Sequence, residues 1–357
     1  MRILQIMPDL ELAGAQTMLE NLTMELNKNS GNNIQIIVFY NNETAISDRL
    51  KKNNIKINYL NKKKGFDISI FFKIARIVKK FNPDVIHTHR YTLAYVYIAL
   101  KMIMKSKSIK IVHTVHNVAE KEVPKKIQTI YKKLFIKQNI IPVAISEEVK
   151  SSMIKLYKLE EKNIPIVYNG IDLNKCIKKV EYKSNNKILH VGRFSEQKNH
   201  LEIIDIFYST LKKNQSLNLY LVGTGELLGE VKQKVKDLKI EDKVTFLGSV
   251  ESSFKIMSES DIFILPSKWE GMPMTLIEAM ATGLPCIAYP VGGISDMIGD
   301  NIDGFLPSNS KEFEEDILKL VEDTALRERI GKAAINKSKI YSAERMAEKY
   351  YELYNSI

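Results

Sequence analysis

The sequence predicts an α/β protein built from two domains of the same class, and three observations carry that prediction. At 357 residues the chain exceeds a single α/β domain of about 100–200 residues. Short β-branched runs alternate with helix-length amphipathic segments, a pattern that implies parallel strands joined by crossover helices. The alternation pauses at a turn-like segment, Asn169-Gly170-Ile171-Asp172, and resumes after the polar stretch 178–186. The boundaries expected are therefore 1–170 and 171–340, with a last helix over about 341–357 that can pack back on the first domain.

In the first half the strand-like runs are 3–7, 34–40, 55–60, 84–87, 109–114, 142–145 and 164–168. Between them, 66–81 places Ile70, Ile74, Ile77 and Val78 at near-helical spacing, with Lys73, Lys79 and Lys80 among them. In the second half the runs are 187–191, 217–222, 243–247, 261–265 and 285–289. Met346, Tyr350, Tyr351 and Tyr354 give the last helix its packing face.

With 45% hydrophobic and 27% charged residues, the composition is that of a packed globular protein and excludes disordered and fibrous classes. The amino terminus runs straight into a strand without the apolar core of a secretory signal. The most apolar stretch, 93–104, is interrupted by Lys101 and falls short of the roughly 20 residues that span a bilayer. The two cysteines, Cys176 and Cys286, lie far apart and offer neither a disulfide framework nor a metal-ligand spacing. A cytoplasmic location is expected. Charge is uneven: residues 1–170 carry 28 Lys/Arg against 14 Asp/Glu, and residues 171–357 carry 25 against 28, so the halves are +14 and −3. The first half therefore suits an anionic partner, such as a membrane surface, nucleic acid or a phosphorylated molecule. Solvated lysines explain the excess equally well.

Ligands of open parallel sheets bind beyond the carboxyl ends of the strands, and two such sheets facing each other leave a cleft. Four segments there carry chemistry. The richest is Pro266-Ser267-Lys268-Trp269-Glu270-Gly271-Met272-Pro273 and the helix that follows it. Pro273 suits a first helical turn, and the free N–H groups at Met274 and Thr275 suit an anion such as a diphosphate. Glu270 and Glu278, poor phosphate ligands, suit sugar and ribose hydroxyls; a capping charge and a solvated glutamate are the plainer readings. Second, Arg193 and Lys198 in Val191-Gly192-Arg193-Phe194-Ser195-Glu196-Gln197-Lys198-Asn199 offer a planar fork and a mobile charge to adjacent phosphates. Third, Gly14 in Ala13-Gly14-Ala15-Gln16 permits a phosphate close to the backbone, or merely a tight helix entry. Fourth, His87 and His89 end one strand and His113 and His116 end another, so both pairs are expected at one polar site.

Together these segments resemble glycosyltransferase family 4, the retaining enzymes of GT-B fold, in which two Rossmann-like domains face each other across a cleft. Glu270 to Glu278 matches that family's Glu-x7-Glu motif, and the likeness extends from AGAQ through IVHTVHN, VYNGID, VGRFSEQKN and LVGTGE to PSKWEGMPMTLIEAMATGLPCIAYPVGG. The resemblance implies a hexosyltransferase of bacterial surface-polysaccharide type, with no cofactor expected; because no Asp-x-Asp ligand pair stands in a suitable loop, metal independence is expected as well. Its donor would be a nucleotide-sugar, a UDP-sugar above all, and its acceptor a glycan or a lipid-linked molecule. By the same resemblance Arg193 and Lys198 neutralise the donor diphosphate, Glu278 holds the ribose, and Glu270 contacts the transferred sugar. Backbone N–H groups at Met272, Met274 and Thr275 bind sugar and phosphate oxygens. His116, in the T-x-H element, stands beside the donor sugar. The chain departs from the family at Ala13, where many members have a second glycine, and at Met272, where phenylalanine is frequent.

Other readings are weaker. A dinucleotide-dependent oxidoreductase is suggested by Gly223-Thr224-Gly225 with Gly229, but the spacing is not G-x-G-x-x-G and the next strand ends in Gly248-Ser249, not a ribose-binding acid. A sugar-nucleotide epimerase of the same fold lacks a reason for Glu-x7-Glu. A nucleic-acid-binding protein is not expected, because the lysines are spread over many helices without a recognised module. For a membrane partner the basic contacts expected are 62–64, Lys101, Lys105, Lys107, Lys125, Lys126, Lys132 and Lys133. An interfacial helix over 127–136, with Ile130, Tyr131, Leu134 and Phe135 on its apolar side, stands beside the alternative of a buried crossover helix with wet lysines.

Overall fold

A computed structural model describes residues 1–65, 67–103, 109–136 and 140–356. The chain divides into two compact units, one of residues 1–170 with 343–357 and the other of residues 171–342.

Unit 1 holds strands β1 (Arg2–Met7), β2 (Asn33–Val38), β3 (Lys56–Tyr59), β4 (Val85–His89), β5 (Lys110–Val115) and β6 (Ile140–Ala144). Its helices are α1 (Gly14–Asn27), α2 (Ala45–Lys52), α3 (Ser69–Phe81), α4 (Thr92–Ile103), α5 (Ala119–Glu122), α6 (Lys125–Phe135) and α7 (Glu147–Tyr157). The strand order is β3-β2-β1-β4-β5-β6, and every pairing is parallel. Both faces of the sheet are covered, which is why Ile3, Leu4, Ile6 and Met7 of one strand are all fully buried. The one polar residue among them, Gln5, accepts a bond from Thr23 Oγ1 on α1 at 2.7 Å. Where a seventh strand was expected, 164–168 makes only an isolated parallel bridge between Ile166 and Ala144. Proline at 165 removes one donor from any longer ladder.

Unit 2 holds β7 (Lys187–Val191), β8 (Asn218–Val222), β9 (Val244–Gly248), β10 (Ile262–Leu265) and β11 (Cys286–Ala288), in the order β11-β10-β7-β8-β9. These strands too are all parallel. Its helices are α8 (His200–Lys213), α9 (Leu228–Asp237), α10 (Phe254–Glu259), α11 (Met274–Thr282), α12 (Ile294–Met297), α13 (Ser310–Glu322) and α14 (Thr324–Ser338). Ile188, Leu219, Leu221, Ile262 and Ile264 from the sheet meet Ile203 and Phe207 of α8 and Phe313 and Ile317 of α13 in one core.

The chain then returns to unit 1 as α15 (Ala343–Ser356), which packs on α1 and buries Met346, Tyr350 and Tyr354. The sequence reading of Tyr351 as a packing residue is only half met, since it is partly exposed. In each sheet the strand order reverses once, between β1 and β4 and between β7 and β10. A reversal opens a crevice at the carboxyl ends of the two flanking strands, the place where open α/β sheets bind ligands.

Candidate active site

In unit 2 the reversal brings together the loops after β7 and β10. Lys198, in the loop after β7, donates from Nζ to Glu270 Oε1 at 2.5 Å, and both side chains are largely withdrawn from water. Gln197 Nε2 donates to Glu270 Oε2 at 3.1 Å and to the Trp269 carbonyl at 3.0 Å, while Lys268 N donates to the Gln197 carbonyl at 2.8 Å. The two loops are thus stitched by one ion pair and three further bonds. Their backbones are also fitted closely to neighbours. A Cβ on Gly292, which has φ +57°, would lie 1.8 Å from the Glu270 carbonyl oxygen. One on Gly223, with φ +134°, would lie 2.0 Å from the Gly192 carbonyl oxygen. Gly223 and Gly225, two of the glycines that suggested a dinucleotide fingerprint, therefore serve close packing against the Gly192-to-Phe194 loop, whereas a Cβ on Gly229 would meet nothing within 4 Å.

Helix α11 begins directly after the Glu270 loop, with Pro273 at its N-cap and no side chain capping it. Its first N–H groups and the helix dipole form a positive end, and the first turn holds no acidic residue. Thr275 Oγ1, in the first turn, is shielded from solvent without a partner among the described residues, as is Ser267 Oγ at the start of the loop. Met272 and Met274 are buried. One turn further on, Glu278 is partly exposed, accepts from Ser253 Oγ at 3.0 Å, and is pushed up to about 7 by desolvation, against which the Ser253 bond works. Arg193 stands apart: its side chain is 71% exposed and lies 3.5 Å from Glu226. Lys198, Glu270, Met272, Met274, Thr275 and Glu278 are therefore assembled around one helix end, and Arg193 is on the open side of the same loop.

In unit 1 the histidines separate. Side chains alternate along a strand, so His87 and His89 share one face of the sheet and His113 points to the other. His113 Nδ1 bonds Thr88 Oγ1 at 2.9 Å and packs against Tyr131 and Phe135 of α6, which makes it a core residue. His87 bonds Tyr354 OH and Thr114 Oγ1, each at 2.7 Å, and Thr114 Oγ1 also bonds Tyr350 OH at 2.7 Å. The expectation of two pairs at one polar site is thereby corrected to a single pair. His89 Nδ1 bonds His116 Nε2 at 3.0 Å. The His116 backbone N–H donates to Glu122 Oε2 at 3.1 Å, and burial holds this carboxyl up at about 7, although nearby Arg90 and two backbone N–H bonds pull the other way. Burial pushes all four imidazoles down, His89 and His113 to about 3, so each is neutral near pH 7. Gly14 is the first residue of α1, whose N-cap Ala13 offers no side chain to the helix end.

Residues 12–175 match the model of "Glycosyltransferase Family 4" and residues 174–337 that of "Glycosyl transferases group 1". The chain belongs to glycosyltransferase family 4. This family 4 glycosyltransferase is 28% identical over 311 residues to the N-acetyl-alpha-D-glucosaminyl L-malate synthase of Bacillus anthracis, covering 82% of this chain and 80% of that one. It is 30% identical over 261 residues to the UDP-Gal:alpha-D-GlcNAc-diphosphoundecaprenol alpha-1,3-galactosyltransferase of Escherichia coli, covering 67% of this chain and 66% of that one. Among solved structures, Anabaena HepE in complex with UDP and glucose superposes with a TM-score of 0.86 over the whole of both chains at 19% identity, which fixes the GT-B fold.

Sequence reasoning on the transferase missed Gln197, Ser253 and Gly292. Each acts on a site glutamate from a loop remote in sequence, and no local pattern marks such a partner.

Proposed function

We propose that the enzyme transfers a hexose or N-acetylhexosamine, with retention, from a UDP-sugar to a glycan or lipid-linked acceptor in surface-polysaccharide synthesis. In this reading unit 2 binds the nucleotide-sugar and unit 1 is the acceptor side. The observation that carries it is the uncapped amino end of α11 flanked by the buried Lys198–Glu270 pair, with Glu278 one turn along. A diphosphate suits the helix end and the two cations, while carboxylates suit hydroxyl donors. Similarity to an N-acetyl-alpha-D-glucosaminyl L-malate synthase and to a UDP-Gal:alpha-D-GlcNAc-diphosphoundecaprenol alpha-1,3-galactosyltransferase supports sugar transfer to an anionic acceptor.

In the reaction the bond between the sugar C1 and the β-phosphate oxygen breaks while the acceptor oxygen bonds C1 on the same face. The acceptor proton passes to the departing phosphate oxygen, so no side-chain base is assigned. Charge grows on the diphosphate as that bond stretches, and Arg193, Lys198 and the α11 amides oppose it in place. Donor binding offers the Lys198 ammonium a second anion besides Glu270. Gly14 and the Met272, Met274 and Thr275 amides are assigned to phosphate and sugar oxygens, Glu278 to the ribose, and His116 to the donor sugar.

The test is a panel of nucleotide-sugars incubated with the purified enzyme, read by mass spectrometry for donor hydrolysis or transfer, with and without excess EDTA. Turnover of a UDP-sugar that survives EDTA is expected. Loss of turnover restored only by Mg²⁺ or Mn²⁺ overturns the scheme of fixed cations.

A second reading, that unit 1 docks on an anionic membrane, rests on its charge and on one helical face. No helix among the described residues is long and apolar enough to cross a membrane. Helices α3, α4 and α6 pack in sequence on one face of the sheet, and they expose Phe72, Ile98, Met102 and Ile130 beside Lys101 and Lys133. Two sequence expectations change here. Tyr131, Leu134 and Phe135 are core, so α6 is a crossover helix with only Ile130 of that set outside. Lys62 is buried, donating to the carbonyls of Lys63 and Gly65, and is removed from the contact set. Lys105 and Lys107 lie outside the described residues.

A further inference from the structure

The His89–His116 pair is bonded in a way that leaves one buried N–H without an acceptor. A bond between two neutral imidazoles uses one proton, and each ring carries only one. His89 Nδ1 and His116 Nε2 share that bond at 3.0 Å, while the other nitrogen of each ring, His89 Nε2 and His116 Nδ1, is shielded from solvent with no partner among the described residues. If His116 donates, the stranded N–H sits on His89, a residue with no exposed surface, packed at 4.1 Å between ring centres against His87. If His89 donates, the stranded N–H sits on His116 Nδ1, on a residue that is partly exposed just beyond the carboxyl end of β5. Orphaned buried donors are rare and call for a reason, and the second arrangement places this one where a ligand oxygen can relieve it.

We propose that His89 is a positioning residue for sugar transfer: it donates from Nδ1 to His116 Nε2, fixing the His116 tautomer so that its Nδ1–H awaits an oxygen of the sugar-nucleotide. The inference rests on the assignment of His116 to the donor made above. Two more contacts hold the geometry. The His116 peptide is tied to Glu122, and the His87 ring behind His89 is tied at both nitrogens, to Thr114 and to Tyr354 of α15. The side behind His89 is thus built in part from α15, whose Tyr354 bonds His87 and whose Tyr350 bonds Thr114.

The test combines imidazole ¹⁵N NMR with kinetics on the full-length enzyme, using His116→Gln to identify the His116 signals and UDP as the ligand probe. The wild type is expected to carry the His116 proton on Nδ1 in the free state. His89→Phe is expected to release it into a mixture of tautomers and to lower kcat roughly 10- to 100-fold with donor KM little changed, the scale of a misplaced contact. His89→Asn keeps a donor at the Nδ1 position and is expected to recover most of both. A wild-type proton on His116 Nε2, or a tautomer unmoved in His89→Phe, overturns the inference. So does normal turnover in His89→Phe while His116→Gln is impaired, which leaves the His116 assignment intact. If both variants turn over normally, that assignment falls as well.

Discussion

At the scale of the residue, the Lys198–Glu270 pair decides how site variants are to be read. Removing one partner of a buried pair strands the other charge, a cost of about 3 kcal/mol or more. Lys198→Ala is therefore expected to lower thermal stability as well as turnover, with rate losses of about 30- to 1000-fold, the effect of deleting one electrostatic stabiliser of roughly 2–4 kcal/mol. Arg193→Ala should lose rate on the same scale with stability unchanged, because its side chain is mostly in solvent. Thermal melts beside initial rates separate the two; equal stability losses in both variants contradict the burial argument. Glu278 gives a second residue-level expectation. Its folded-state value of about 7 lies above the ordinary carboxylate value of 4.5, so the native state keeps a proton that the unfolded state has released. Its contribution to stability is complete below pH 4.5 and is lost as pH rises through 7. Glu278→Gln should flatten that decline in a pH series of melting temperatures, and it should weaken donor binding.

At the scale of the element, tight loops and buried strand ends set further expectations. Gly292 has φ +57° and presses on the Glu270 carbonyl, so Gly292→Ala combines a left-handed strain of about 1–2 kcal/mol with a direct overlap. Displacement of the Glu270 loop should follow, seen as a raised donor KM together with a lower melting temperature; a variant with wild-type kinetics shows that the loop tolerates the shift. The ends of β4 and β5 carry neutral buried histidines whose values are depressed below the ordinary 6.5. The unfolded chain takes up their protons first as pH falls, so unit 1 loses stability from about pH 6.5 downward through about 3. His113→Phe, in its aromatic surroundings, should reduce that acid sensitivity when melting is followed between pH 7 and 4.

At the scale of the whole molecule, the chain crosses from unit 1 into unit 2 and returns, and the return is structural. Residues 343–357 supply the buried Tyr350 and Tyr354 that bond Thr114 and His87. Deletion of 343–357 should therefore lower the stability of unit 1 selectively, exposing His87 and the α1 face; hydrogen exchange localised to β4, β5 and α1 is the measurement. Docking on membranes belongs to this scale too. Juxtamembrane cations contribute about 1 kcal/mol each near an anionic surface. Flotation with anionic vesicles at low salt should carry the protein upward, and raised salt should release it. A Lys101→Glu, Lys133→Glu variant should float less, whereas indifference to anionic vesicles at low salt removes the membrane from the proposal.

The sequence by itself determined the α/β class, the two-domain division near Gly170, the strands of both sheets apart from 164–168, and the family. These are legible because hydrophobic periodicity and turn chemistry act between neighbours in the chain, and because Glu270 and Glu278 lie on one loop-helix segment. Only the tertiary structure decided which residues meet across the chain. It paired Lys198 with Glu270, set Gln197 and Ser253 on the two glutamates, turned His113 into the core while joining His89 to His116, and withdrew Lys62 from the surface. Those contacts depend on strand order and on which face of a strand a side chain takes. Strand order follows from the global packing of crossovers, to which no short window of sequence has access.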